Sequence, residues 1–257
     1  MKEAGRLSSG LWLILGLLLL WEVSARGDWM NTPNWPPLST VLVALVRDAF
    51  SGELPVLVGG TLWRMFAGLL AGGAAGVAVG LVFATIPLTA RLFGLTVELI
   101  RPIPIPAVIP PLVLFLGLDN TMKVTVVALT VFFPVLTNTI QGVRAVEADA
   151  VAMGRTFGIG AWRRAIHIVL PACLPYILAG FRVALALALV VTVVAEMIAG
   201  EQGVGHYLVL MQFAGRAPEM YATVIVLAVL GYALNRGFLA FERRAIHWYF
   251  ALGRAAD

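Results

Sequence analysis

Few side chains in this sequence are of the kinds that catalyse. His167, His206 and His247 stand far apart without metal-ligand spacing, and Cys173 is the single cysteine, which excludes an intrachain disulfide or a paired-cysteine metal site. No glycine-rich phosphate loop, HExxH helix or GxSxG nucleophile turn occurs. The chain instead carries isolated polar groups within apolar runs: Glu98 and Arg101, then Asn138, then Glu196. An ionisable group at membrane depth is costly and marks either a path for polar solutes or a fixed ion pair. Glu98 and Arg101 are three apart, share a helix face and are placed to pair. They read as a structural ion pair at the inner interface or as the lining of a path. Such groups serve binding and passage, so the chain is not expected to be an enzyme, and it is expected to bind no metal or cofactor of its own.

A second polar set lies together, from Arg144 to Pro175. It holds Glu147, Asp149, Arg155, Arg163, Arg164 and His167, with Gly154, Gly158 and Gly160 between them and Pro171 and Pro175 at its end. Long apolar runs flank it on both sides. Ala148 to Phe157 predicts a short helix, Gly158 and Gly160 a sharp break, and Trp162 to Ile168 a second rigid segment. Leu170-Pro171 is expected to turn the chain back into the membrane. Small residues at 150, 152 and 154 suit a helix lying shallowly in a partner's groove.

These groups must be positioned by membrane helices. Of the 257 residues 60% are hydrophobic and 12% charged, about half the charge of an average soluble domain, and several runs approach the ~20 residues that cross a bilayer. The apolar runs are continuous and do not alternate, which argues against a transmembrane β-barrel. The net charge of +4 does not indicate nucleic acid, because the basic residues sit at the ends of apolar runs. The fold expected is an all-α integral membrane protein of about six spans.

In chain order, Leu11 to Leu20 reads as a first span, retained as an anchor or cleaved as a signal peptide after Val23-Ser24-Ala25. Trp29 and Trp35 fit an interfacial belt. Thr40 to Phe50 predicts an outer interfacial helix capped by Ser39 or Thr40, and residues 52–60 a turn into the second span. There Gly68, Gly72, Gly76 and Gly80 recur at four-residue spacing, a face for close contact with a neighbouring helix. Pro87 to Arg91 predicts an inner turn. Pro102, Pro104, Pro106, Pro110 and Pro111 argue against a continuous helix through 101–111, and broken helix at that depth needs protein or a water-filled cavity around it. Spans over 124–140, 176–198 and 220–239 follow, with an outer re-entrant or interfacial segment over 200–218. Three domains are expected: 1–57 as anchor and outer segment, 58–241 as core, and 242–257 as a basic inner tail. Lys2, Arg6, Arg91, Arg144, Arg155, Arg163, Arg164, Arg243, Arg244 and Arg254 fall on the proposed inner side. Arg26, Arg47, Arg216 and Lys123 fall on the outer side. The bias places both termini on the cytoplasmic side of the membrane.

Gly158, nine further residues, then Ile168-Val169-Leu170-Pro171 resemble the second half of the EAA loop of ABC importer permeases. Ala152, Met153 and Gly154 occupy the E-A-A positions, a departure from that pattern, and Glu147-Ala148-Asp149 lies out of frame with it. Four further segments, in order, are similar to the nitrate/sulfonate/taurine-type branch of binding-protein-dependent permeases: GELPVLVGGTLWRMFAG, ELIRPIPIPAVIPPLVLFLGL, VVAEMIAGEQGVGHYL and FERRAIHWYF. The resemblance implies a type I importer permease fold with a cytoplasmic coupling helix. It implies two ATPase subunits that hold the ATP and magnesium, a second permease copy making a homodimer, and an extracytoplasmic solute-binding protein. On this reading Glu147, Asp149, Ala152, Met153, Gly154, Arg155, Gly158, Trp162, Ile168, Leu170 and Pro171 meet the ATPase. Glu98, Arg101, Pro102, Pro106, Asn138 and Glu196 are candidates for the translocation path. The cargo implied is a small anion of the nitrate, sulfonate or taurine kind, or a related organic solute. An ion-coupled secondary transporter and a non-transporting membrane scaffold are the alternatives.

Overall fold

A computed structural model describes residues 2–249; the last residues of the expected tail, Arg254 among them, lie outside the described residues. The described chain is helical throughout. Its elements are α1 (Lys2–Arg26), α2 (Leu38–Phe50), α3 (Glu53–Thr85), α4 (Pro87–Ile100), α5 (Ile105–Leu116), α6 (Asn120–Arg144), α7 (Ala148–Thr156), α8 (Ala161–Arg164), α9 (Leu170–Ala199), α10 (Val204–Phe213) and α11 (Ala217–Ala245). A π-helical turn, Ala165–Val169, joins α8 to α9.

By length and apolarity α3, α6, the run Trp162–Ala199 and α11 are long enough to cross a membrane. Arg91–Ile100 with Ile105–Leu116, bent by 98°, forms either one broken span, which makes a fifth, or a re-entrant loop. The remaining expected span, Leu11 to Leu20, lies within α1 and does not enter this count.

The glycine face of α3 meets α6. A Cβ on Gly68 would come 2.5 Å from the Val127 Cβ, and one on Gly80 2.7 Å from the Thr139 Cβ. On Gly72 it would strike the Ala128 carbonyl oxygen, and on Gly76 it would lie 2.8 Å from the Phe132 oxygen. The numbering rises together on both helices, so α3 and α6 run parallel, as the connection through α4 and α5 requires. Lipid tails are as apolar as leucine, so such helices associate through close packing, and missing side chains allow it. α9 closes the bundle in the opposite direction. Gly180 faces Pro134 and Asn138, and Gly142 faces Cys173 and Tyr176. Met65, Ile109, Met122, Val131, Val135, Ala184 and Ala188 fill the space between.

Two ends of the bundle are thereby defined. One carries the start of α3, the start of α6, the end of α9, and α10. The other carries the ends of α3 and α6, the α7–α8 hairpin and the start of α9. α11 runs back along α9, with Gly231 beside Leu189 and Arg182 paired to the buried Glu242. At the α10 end, α2 packs Val41 and Ala44 on Ala222 of α11. Trp21 and Trp35 meet Tyr221 at ring-centre distances of 5.7 and 5.9 Å.

Several expected boundaries differ. α2 begins at Leu38 with no side-chain cap, because Ser39 is committed to α1: its backbone N–H and hydroxyl both donate to the Glu22 carboxylate, at 3.0 and 2.9 Å. The turn expected over 52–60 shrinks to Gly52 at φ +82°, a conformation that costs glycine little, and α3 starts at once. The inner turn expected at Pro87–Arg91 is instead the first turn of α4, where proline is tolerated because its missing N–H has no helical partner.

Candidate functional site

At the hairpin end, α7 stops in a way its sequence dictates. Gly158 adopts φ +68°. Its N–H donates to the Arg155 carbonyl at 2.9 Å, and the next N–H, of Ile159, reaches back to the Gly154 carbonyl at 3.0 Å. This pair of bonds with a left-handed glycine is a Schellman end, satisfying carbonyls that the helix leaves free. Gly160, expected to share the break, takes no positive φ. Gly154 has a different task. It is buried, and a Cβ there would lie 2.8 Å from the Ile168 side chain and 3.0 Å from Arg164. The missing side chain lets α7 fold onto the segment after it. Arg164 closes the turn by donating to the Ile159 carbonyl at 2.6 Å.

The hairpin so formed presents Met153, Phe157 and Trp162 at 59, 79 and 77% exposure, beside the exposed Glu147, Asp149, Ala152 and Arg155. Ile168 and Leu170 are half-buried and Pro171 is exposed. The chain does not turn at Leu170-Pro171, contrary to expectation. Trp162–Ala199 is one continuous helical run. Pro171 has no N–H for the His167 carbonyl and its ring would crowd that group; the π-helical turn directly before it widens the helix there. Proline is thus absorbed by a bulge.

The proline-rich segment breaks where expected and resumes sooner. α4 ends at Ile100, the chain bends through Pro102 and Pro104, and α5 starts at Ile105 with Pro106 in its first turn. Pro110 and Pro111 lie inside α5, at the expense of the helical bonds to the Pro106 and Ala107 carbonyls. Glu98 and Arg101 do not pair as expected; among the described residues no ion pair involves Glu98. Both line a cavity of about 310 Å³ between α3, α4 and α6, together with Thr137, Gln141 and Arg144. A pair open to water gains too little to offset the ordering of two long side chains. Asn138 lies away from this cavity. Its amide donates to the Pro134 carbonyl at 2.8 Å, at the crossing of α6 with α9.

Glu196 stands at the opposite end of the bundle and is wholly buried. Arg64 donates to it at 2.8 Å, the Thr61 hydroxyl at 2.9 Å and the Gly205 N–H at 3.0 Å. Arg64 also donates to the Asn120 side chain at 2.6 Å, and the Val204 N–H donates to Thr61 at 3.1 Å. One carboxylate therefore ties α3, α9 and the start of α10, and its arginine extends the tie to α6. Gly203, at φ +123°, sits against the carboxylate, leaving no space for a Cβ. The sequence flagged Glu196 but not its partner Arg64, 132 positions earlier. An arginine within the apolar run of α3 was the available signal. Lys123, expected near a helix end, is buried at 3% exposure.

A larger cavity of about 690 Å³ between α3, α9 and α11 is lined only by apolar residues and glycine, Phe66, Phe181 and Phe238 among them. Nothing there would hold a polar solute.

Comparison with known proteins identifies the architecture. The model of the family described as "binding-protein-dependent transport system inner membrane component" matches residues 68–247. The chain belongs to that family. It is therefore a multi-pass inner-membrane permease component, and not an enzyme. It is 32% identical over 223 residues to the putative aliphatic sulfonates transport permease protein SsuC of Escherichia coli K12, covering 86% of this chain and 82% of that one. It is 27% identical over 241 residues to the taurine transport system permease protein TauC of the same organism, covering 91% and 86%. Among solved structures, the inward-facing MetNI methionine ABC transporter matches with a TM-score of 0.68 at 16% identity, covering 77% of this chain and 98% of that one. An amino acid ABC transporter matches at 0.64 and 17%, covering 78% and 97%. These likenesses show that the permease fold is shared.

Proposed function

We propose that this permease forms the translocation path of an ATP-driven importer for a small organic anion of the sulfonate or taurine kind, and that the α7–α8 hairpin is its docking surface for ATPase subunits. The observation that carries the reading is the geometry of the hairpin. A helix of nine residues is stopped by a Schellman turn at Gly158, clamped through Gly154, and presents three large apolar side chains beside charged ones. Such exposed side chains, rimmed by polar groups, mark a protein contact. The likeness to a sulfonate permease and a taurine permease supports the solute class.

On this reading two ATPase subunits hold the ATP and magnesium, and each docks on the hairpin of one of two permease copies. A solute-binding protein delivers cargo at the α10 end, and the hairpin and both termini face the cytoplasm. Glu147, Asp149 and Arg155 supply the polar contacts and Met153, Phe157 and Trp162 the apolar ones. Glu98, Arg101, Pro102 and Pro106 line the path, while Glu196 holds the far end of the bundle together.

Gly158→Val tests this. A β-branched residue held at that φ costs roughly 1–2 kcal/mol, and the chain escapes the strain by unwinding the turn. ATP-dependent uptake of labelled taurine by vesicles holding permease, ATPase and binding protein should fall on the order of tenfold, while ATP hydrolysis persists. Uptake at the unaltered rate, or uptake without the ATPase, would remove the assignment.

A further inference from the structure

The cavity at the 98° bend carries an inference beyond docking. Arg101 enters it from the end of α4 and Arg144 from the last residue of α6. Among the residues lining it, Glu98 is the one carboxylate, and it pairs with neither arginine. Two guanidinium groups against one unpaired carboxylate leave an excess positive charge in a recess of about 310 Å³, the lower end of the range for small-molecule pockets. The Gln141 amide adds a neutral donor and the Thr137 hydroxyl a further polar edge. Guanidinium forks match the oxygens of sulfonate, phosphate or carboxylate through paired N–H donors.

We infer that this cavity is a binding site for the oxyanion group of the transported solute, held between Arg101 and Arg144. The inference rests on the importer reading and deepens it by placing the anion's contact at the hairpin end of the path. Arg144 makes the placement consequential: it both faces the cavity and ends α6, only a short link before α7. An anion drawing the two arginines together therefore acts on the segment that leads into the hairpin. The same oxyanion chemistry occurs in lipid headgroups, and the test separates that source from the solute.

Val97 lines the cavity one helical turn before Arg101. Val97→Cys is introduced with Cys173→Ala, which keeps the Cβ facing Gly142. The full chain, assembled with its ATPase subunits in phosphatidylcholine nanodiscs, is treated with two methanethiosulfonate reagents. One bears a sulfonate and the other a trimethylammonium group. Relative to the same pair of rates at the exposed Phe213→Cys, the anionic reagent should be favoured on the order of tenfold. Arg101→Gln with Arg144→Gln should abolish the preference. Lysine at both positions should keep it, which shows that the charge matters and the fold is intact. Glu98→Gln should raise it. Ethanesulfonate should slow the labelling, equally in discs with and without phosphatidylglycerol. Equal rates in the parent, a preference that survives the double glutamine change, or loss of both preference and protection when phosphatidylglycerol is present would each overturn the proposal. Charge-blind labelling alongside ATP-driven uptake would remove the site and leave the importer. A retained preference without ATP-driven uptake would do the reverse.

Discussion

Glu196 and Arg64 show what one buried ion pair must satisfy. The pair lies at 0 and 6% residue exposure, where desolvating two charges costs several kcal/mol and is recovered only when the remaining donors and acceptors are also met. Here they are met, by Thr61, Asn120 and Gly205. Removing one partner is therefore worse than removing both. Arg64→Met leaves the buried carboxylate with the Thr61 hydroxyl and the Gly205 N–H but no counter-charge, and should cost about 3–5 kcal/mol. Arg64→Met with Glu196→Met should recover part of that loss, the remainder being the Gly205 N–H left without its acceptor. Thermal unfolding in one detergent checks the order, and a double variant less stable than the single would show that the pair is not the determinant. Only half of this is legible in the sequence. Glu196 stands out as an acid in an apolar run, but what it pairs with depends on a contact between α3 and α9 that no local pattern encodes. Glu98 and Arg101 mislead for the opposite reason: their helical spacing predicts a contact, while the cavity beside them leaves each group solvated.

The elements follow their sequences closely wherever a steric rule decides, and depart where one element can adapt. The α3 glycines are legible because four-residue spacing has a single use on a helix face, and each meets α6. Gly158 is legible because only a left-handed residue ends α7 with both carbonyl bonds made. Pro171 is not, because a proline can stop a helix or be taken up by a π-helical turn, and its neighbours do not say which. The glycine argument gives a paired prediction. Gly72→Ala places a Cβ against the Ala128 carbonyl of α6, a backbone group that cannot move alone. Gly59→Ala, earlier in the same helix, meets nothing within 4 Å, and gains about 1 kcal/mol of helix propensity. Gly72→Ala should lower the thermal midpoint of the purified permease and Gly59→Ala should leave it unchanged or raise it. Equal effects would show that the α3–α6 seam is looser than the backbone distances require.

At the scale of the whole molecule, the charge pattern and the helix directions reach one arrangement independently. Arg91, Arg144, Arg155, Arg163, Arg164, Arg243 and Arg244 lie at starts or ends of helices that converge on the hairpin end. Arg26, Arg47, Arg64, Lys123 and Arg216 lie at the other end, where Arg64 is paired with Glu196 and both Arg47 and Arg216 approach Glu219, at 3.5 and 2.5 Å. The excess of cations at one end is what a bilayer requires of a cytoplasmic face, so the hairpin should lie in the cytoplasm and α10 outside. Phe157 and Phe213 report on the two ends, at 79 and 85% exposure. With Cys173→Ala as background, Phe213→Cys should react with a membrane-impermeant maleimide in intact spheroplasts and Phe157→Cys only in inside-out vesicles. ATPase subunits added back to stripped vesicles should then protect Phe157→Cys and leave Phe213→Cys unaffected. Labelling of Phe157→Cys from the spheroplast side would invert the topology, and the hairpin could not then meet an ATPase however well its turn is formed.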